Sequence, residues 1–97
     1  MSTYVLLANW TDQGIRSVSE APKRIEAVKK LLGEMGGQFI SLYMTMGEYD
    51  LVGIYDAPDD AIALRFILLL GKQGSVRTTS MKAFPENAFR EIIHSLG

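Results

Sequence analysis

With 97 residues the chain has the length of one domain, and a domain this small buries only about 60–65% of its unfolded surface, so association would add stability. A net charge of −1, with 22% charged and 47% hydrophobic residues, is ordinary globular composition and leaves no basic footprint for nucleic acid or an anionic membrane. The absence of cysteine excludes disulfides, a thiolate nucleophile and any Cys-based metal site.

Met1-Ser2-Thr3 passes directly into Tyr4-Val5-Leu6-Leu7, without the basic n-region or small-residue cleavage site of a signal peptide. Residues 3–10, rich in β-branched and aromatic side chains, predict a first strand. Residues 11–21 are polar, contain Gly14, and predict a loop with room for one helical turn. Ser17-Val18-Ser19-Glu20 has capping-box spacing, yet a helix begun at Ser17 would carry Pro22 past its first turn and lose a backbone bond. A start at Pro22 suits the fixed φ of proline better. From there Ile25, Val28, Leu31, Leu32 and Met35 share one face, Lys23, Glu26, Lys29 and Lys30 lie largely on the other, and Gly36-Gly37 stop the helix.

Residues 38–46 and 49–56 predict two strands joined by Gly47-Glu48, whose leading glycine suits a two-residue type II′ turn. Pro58, Asp59 and Asp60 favour the start of a second helix over 61–70, closed by residues 71–74. That apolar run is broken by Arg65 and falls far short of the ~20 residues of a membrane span, so a cytoplasmic location is expected. Residues 75–84 predict a fourth strand, and Pro85 opens a last short helix with Phe89, Ile92, Ile93 and Leu96 on one side. The order β-α-β-β-α-β-α predicts one α+β domain over residues 1–97, ferredoxin-like βαββαβ. Its four-stranded antiparallel sheet carries two helices on one face, and residues 85–97 form a helical extension.

A sheet covered on one face should be polar on the other. Here Val5 and Leu7 oppose Tyr4, Leu6 and Trp10, while Ile40, Leu42, Met44 and Met46 oppose Phe39 and Tyr43. Val52 and Ile54 oppose Tyr49, Leu51 and Tyr55, and the second helix is apolar nearly all round. Both faces carry large apolar groups, which predicts a homodimer or higher homo-oligomer. The alternative is that the C-terminal helix folds back over part of the exposed face.

Tyr4, Trp10-Thr11 with Gly14, Pro22 with Arg24, Gly36-Gly37 and Tyr43-x-Thr45-x-Gly47-Glu48-Tyr49-Asp50 together resemble the GYD-domain family, whose Gly-x-Tyr-Asp element is complete here. Ala57-Pro58-Asp59-Asp60 and Val76-Arg77-Thr78 are also similar to its pattern, so the resemblance spans residues 3–84 and leaves out those from Pro85 onward. It implies a small prokaryotic protein of ferredoxin-like, dimeric α+β barrel type, without an established activity. Relatives by fold include cofactor-free monooxygenases, isomerases and ligand-sensing modules, and fold alone does not fix function.

Catalytic sets are sparse. The single histidine, His94, lies near the C-terminus on an amphipathic helix and reads as a solvent-edge residue, so no metal site is expected. The paired glycines sit at helix ends, where capping explains them, and no cofactor is expected. Asp50 beside Tyr49 is the candidate for proton transfer, because a carboxylate just inside a buried strand can have a raised pKa. Its structural alternative is to accept hydrogen bonds from the hairpin backbone or to pair with Arg77 or Arg24. Asn9, Trp10, Thr11, Tyr43, Thr45, Arg77 and Thr78 are candidate ligand-binding residues, apolar walls with a few polar groups being the usual form of a small-molecule site. Arg77, within a strand, is expected to need a carboxylate partner.

Two functions are therefore weighed first: an oligomeric small-molecule-binding or accessory protein without catalysis, and a cofactor-free enzyme on a small organic substrate using Asp50 or Tyr49. A purely structural assembly module is the third. The expected partners are the chain itself and a small organic ligand, with neither nucleic acid nor membrane.

Overall fold

The computed structural model describes residues 1–97. Strand β1 (Ser2–Trp10) leads into a short helix α1 (Asp12–Arg16), a 3₁₀ turn at Val18–Glu20 and helix α2 (Ala21–Glu34). Strands β2 (Gln38–Met44) and β3 (Leu51–Ala57) follow, then helix α3 (Asp60–Gln73), strand β4 (Val76–Ala83) and helix α4 (Glu86–Ser95). The sheet order is β2-β3-β1-β4 with every neighbouring pair antiparallel, which is the expected ferredoxin-like α+β arrangement.

Local chemistry accounts for the helix ends. Thr11 caps α1, its hydroxyl accepting from Gly14 N at 3.0 Å. Helix α2 starts one residue before Pro22. It closes with Gly36 at φ +89°, where Gly37 N donates to Leu32 O and Gly36 N to Gly33 O, the paired bonds of a Schellman cap. Asp59 caps α3 through Ile62 N at 2.9 Å.

Three expectations are corrected. The β2–β3 connection is not a two-residue turn: the strands end at Met44 and Leu51, and Thr45 N closes the loop by donating to Asp50 O at 2.8 Å. Gly47 does take positive φ, at +135°, but within this wider loop. Residues 11–21 hold both α1, capped by the Thr11 hydroxyl, and the 3₁₀ turn, closed by Glu20 N donating to Ser17 O at 2.9 Å. Finally, strict alternation along β2 fails. Phe39 pairs with Tyr55 but Ser41 with Ile54, so a bulge absorbs Ile40 and puts Phe39, Leu42 and Met44 together on the helix side.

The core lies between the sheet and the helices, with Tyr4, Leu6, Tyr55 and Ala57 meeting Leu32, Ala63, Phe66 and Leu70. Tyr4 stacks on Tyr55 at 5.2 Å, and Phe66 meets Tyr55 edge-on at 5.3 Å, arrangements that favour the ring quadrupoles. Leu64 and Leu68 on α3 are exposed rather than covered from a second side within the chain. Helix α4 does not fold back over the sheet; Phe89, Ile92, Ile93 and Leu96 stay exposed. The molecule is accordingly elongated, 53 × 31 × 18 Å.

Candidate functional site

Asp50 sits where β1 outlasts β3. Its amide donates to Ala8 O at 3.0 Å and to Asn9 Oδ1 at 3.1 Å, while its Oδ2 accepts from Trp10 N at 2.9 Å. The carboxylate thus takes the amide of Trp10 beyond the last Cα pair of the ladder, Ala8 with Leu51. Thr45 completes the loop by donating its hydroxyl hydrogen to Tyr49 O at 2.6 Å. Asp50 pairs with neither Arg77 nor Arg24; no carboxylate lies within salt-bridge distance of either arginine. Arg77 is exposed opposite Asn9, so water solvates its charge and the expected carboxylate partner is not required.

The neighbouring corner is held as tightly. Thr11 Oγ1 donates to Gly74 O at 2.6 Å and Thr11 N to Ser75 O at 3.1 Å. Gly14 is pressed so closely to Ser75 that a Cβ there would lie 2.0 Å from its carbonyl oxygen. Arg24 reaches into the same corner from α2, Nη1 donating to Ser17 O at 3.0 Å and Nη2 to Gly14 O at 3.3 Å. Its guanidinium stands 6.0 Å from the Trp10 ring centroid.

Between the sheet and the splayed helices α2 and α3 lies a cavity of about 60 Å³. Leu6, Ala8 and Leu51 form its floor, and Ile25, Val28 and Leu70 its walls. Trp10, Thr78 and Gln73 also line it, and Arg24 is the one charged residue that does so. The Nε of Arg24 is buried and has no hydrogen-bond acceptor.

At the opposite end Tyr4 donates to Asp60 Oδ1 at 2.6 Å, Lys82 Nζ bonds Asp60 at 3.1 Å, and the Tyr55 and Ser80 hydroxyls are 2.9 Å apart. Burial, reinforced by the Asp60 hydrogen bond, pushes the Tyr4 phenol up to about 12. Hydrogen bonds from Tyr4 and then Lys82 lower the Asp60 carboxyl. Burial also raises Tyr55.

The face of the sheet away from the helices is uncovered. Val5, Leu7, Val52, Ile54, Tyr43 and Met81 lie on it, and Tyr43, Ile54 and Met81 are exposed at 66%, 37% and 46%.

The candidate residues therefore divide. Trp10 and Thr78 meet at the cavity, with Thr11 beside it. Asp50 and Thr45 meet Trp10 in a shallow depression near Ala21 and Pro22. Asn9, Tyr43 and Arg77 lie on the open sheet face, away from the cavity. Tyr49 contributes its carbonyl to the loop. Sequence reasoning missed Arg24 as a cavity residue and the Tyr4–Asp60–Lys82 chain. For the second a signal existed: after Pro58 only one of the two aspartates is needed as a cap, leaving the other free.

The model of the GYD domain family matches residues 4–93. The match runs past Pro85 into most of α4, further than the motifs indicated. The chain is 34% identical over 86 residues to the glutamine synthetase and cystathionine beta-lyase binding protein of Thermus thermophilus, covering 88% of this chain and 90% of that one. Its fold resembles the crystal structure of FFRP-DM1, with a TM-score of 0.62, 20% identity, and 87% of this chain and 100% of that chain covered. It also resembles hypothetical protein PHS023 from Pyrococcus horikoshii, with a TM-score of 0.57, 22% identity, and 88% and 92% covered. No helix is long and apolar enough to cross a membrane.

Proposed function

This chain belongs to the GYD domain family, and from that premise we propose that it is a cytoplasmic accessory protein that acts by binding other protein chains, beginning with a second copy of itself. The observation that carries the reading is the uncovered sheet face, where Ile54 and Met81 flank Val5 on the central strands and Val52 lies beside Leu7. Removing these groups from water gives roughly 25 cal/mol per Å² of apolar area, which a single chain forgoes. The Thermus relative is named for binding two enzymes, which supports a protein-binding role over catalysis. Asp50 supports it too: the carboxylate a proton-transfer mechanism would use already accepts from Trp10 N. Residues 1–97 act as one unit, with α4 as an exposed extension.

The test is immobilised full-length chain exposed in turn to purified glutamine synthetase and cystathionine beta-lyase from the same host. Saturable binding of either, abolished by Ile54→Asp or by an α4 change such as Phe89→Asp, supports the reading. Binding of neither, from a chain that is also monomeric, contradicts it.

A further inference from the structure

An arginine partly withdrawn from water normally meets a carboxylate, because its guanidinium loses hydration that a counter-charge would replace. Arg24 does not. Its two terminal nitrogens rest on the neutral oxygens of Ser17 and Gly14, its Nε is buried without an acceptor, and no carboxylate approaches within salt-bridge distance. These bonds, with the Trp10 face beside the guanidinium, hold the group in one orientation before any ligand arrives.

The cavity that Arg24 lines is otherwise almost wholly apolar. At about 60 Å³ it takes a few non-hydrogen atoms, since one buried water occupies roughly 10–15 Å³ on the same measure. The enclosed part therefore suits a small ligand better than a large cofactor or a sugar. Gln73, Ser75 and Thr78 are its uncharged polar lining residues, and no acidic side chain lines the cavity. A ligand ammonium would find no counter-charge there, whereas a carboxylate would meet a cation that no acidic side chain neutralises.

We propose that this cavity binds a short-chain monocarboxylic acid, its carboxylate held by Arg24 and its hydrocarbon tail lying among Leu6, Ala8, Val28, Leu51 and Leu70. The site is distinct from the open sheet face, so ligand and protein partners occupy opposite sides of the sheet. The same chemistry ranks ligands: simple acids bind above zwitterionic amino acids of equal length, and amines do not bind.

The probe is sodium butyrate, titrated into ¹⁵N-labelled full-length protein at constant ionic strength. n-Butylammonium chloride, 2-aminobutyrate and sodium chloride serve as comparators. Butyrate is expected to saturate in the millimolar range, as a ligand of so few atoms should, moving the Arg24 Nε–Hε signal and the Ala8 and Leu51 amides together. Arg24→Met, which keeps the apolar stem, is expected to weaken binding at least tenfold, as loss of a charge-assisted bond does. Should Arg24→Met not fold, Ala8→Val narrows the cavity while leaving the arginine in place and is expected to weaken butyrate likewise. The proposal is overturned by absence of saturation below about 100 mM, by an equal response to butylammonium, or by full retention of binding in the folded Arg24→Met or Ala8→Val variant.

Discussion

The amide of Trp10 donates to the carboxylate of Asp50 at 2.9 Å, across forty residues of chain, so the Tyr-Asp end of the loop closes the end of β1. A residue whose identity suggests proton transfer is thereby accounted for by a backbone donor that would otherwise lack its ladder partner.

Asp50→Ala is expected to cost about 1–3 kcal/mol, the usual effect of leaving a part-buried amide without its acceptor. Asp50→Asn keeps an oxygen in the same place and should retain most of that stability. Urea unfolding of the two variants, compared at equal m-value, checks the difference.

Tyr4 yields a prediction in alkali. Its folded-state pKa, about 12, lies above the unfolded value of ~10. The corresponding stability is present below pH ~10 and is lost as pH rises through 12. Tyr4→Phe should flatten that decline, measured as unfolding free energy against pH. Asp60 behaves oppositely: its lowered pKa means a contribution present above the ordinary carboxylate range and lost as pH falls through the depressed value.

Two glycines should respond in opposite senses. Gly14→Ala would drive a Cβ to 2.0 Å from Ser75 O, costing about 1–3 kcal/mol as overpacking does. Gly33, inside α2, has open space where an alanine methyl would stand, with nothing within 4 Å, and no positive φ. Gly33→Ala should therefore add about 0.5–1 kcal/mol by restricting the unfolded chain. Thermal unfolding of both variants gives the comparison.

Phe66 is fully buried between Tyr55 and Phe39. Phe66→Ala is expected to cost about 3–5 kcal/mol, which for a domain this marginal can abolish folding at ordinary temperature. Circular dichroism on melting reads the loss.

What the sequence made legible was set by local rules. Helix α2 was readable from its apolar face and its Gly36-Gly37 end, and α3 from Asp59 and Asp60. The bulge at Ile40 was not, because apolar residues fall on both faces of this strand and the shift shows only in its register against β3. Gly47 announced positive φ but not loop length, which depends on Thr45 meeting Asp50. At the candidate site, Trp10 and Thr78 were visible as polar or aromatic strand residues. Arg24 was not: on a helix bearing Lys23, Lys29 and Lys30 it looks like one more solvated cation. Only the fold brings it over Trp10.

The mass of the full-length chain in solution tests the central claim most directly. Native mass spectrometry or sedimentation at micromolar concentration should give at least twice 10.8 kDa, with Ile54→Asp shifted towards the single-chain mass while its circular dichroism stays that of the folded protein. A wild-type chain that runs at 10.8 kDa under those conditions would contradict the account, since the apolar sheet face would then stand open to water with nothing to cover it.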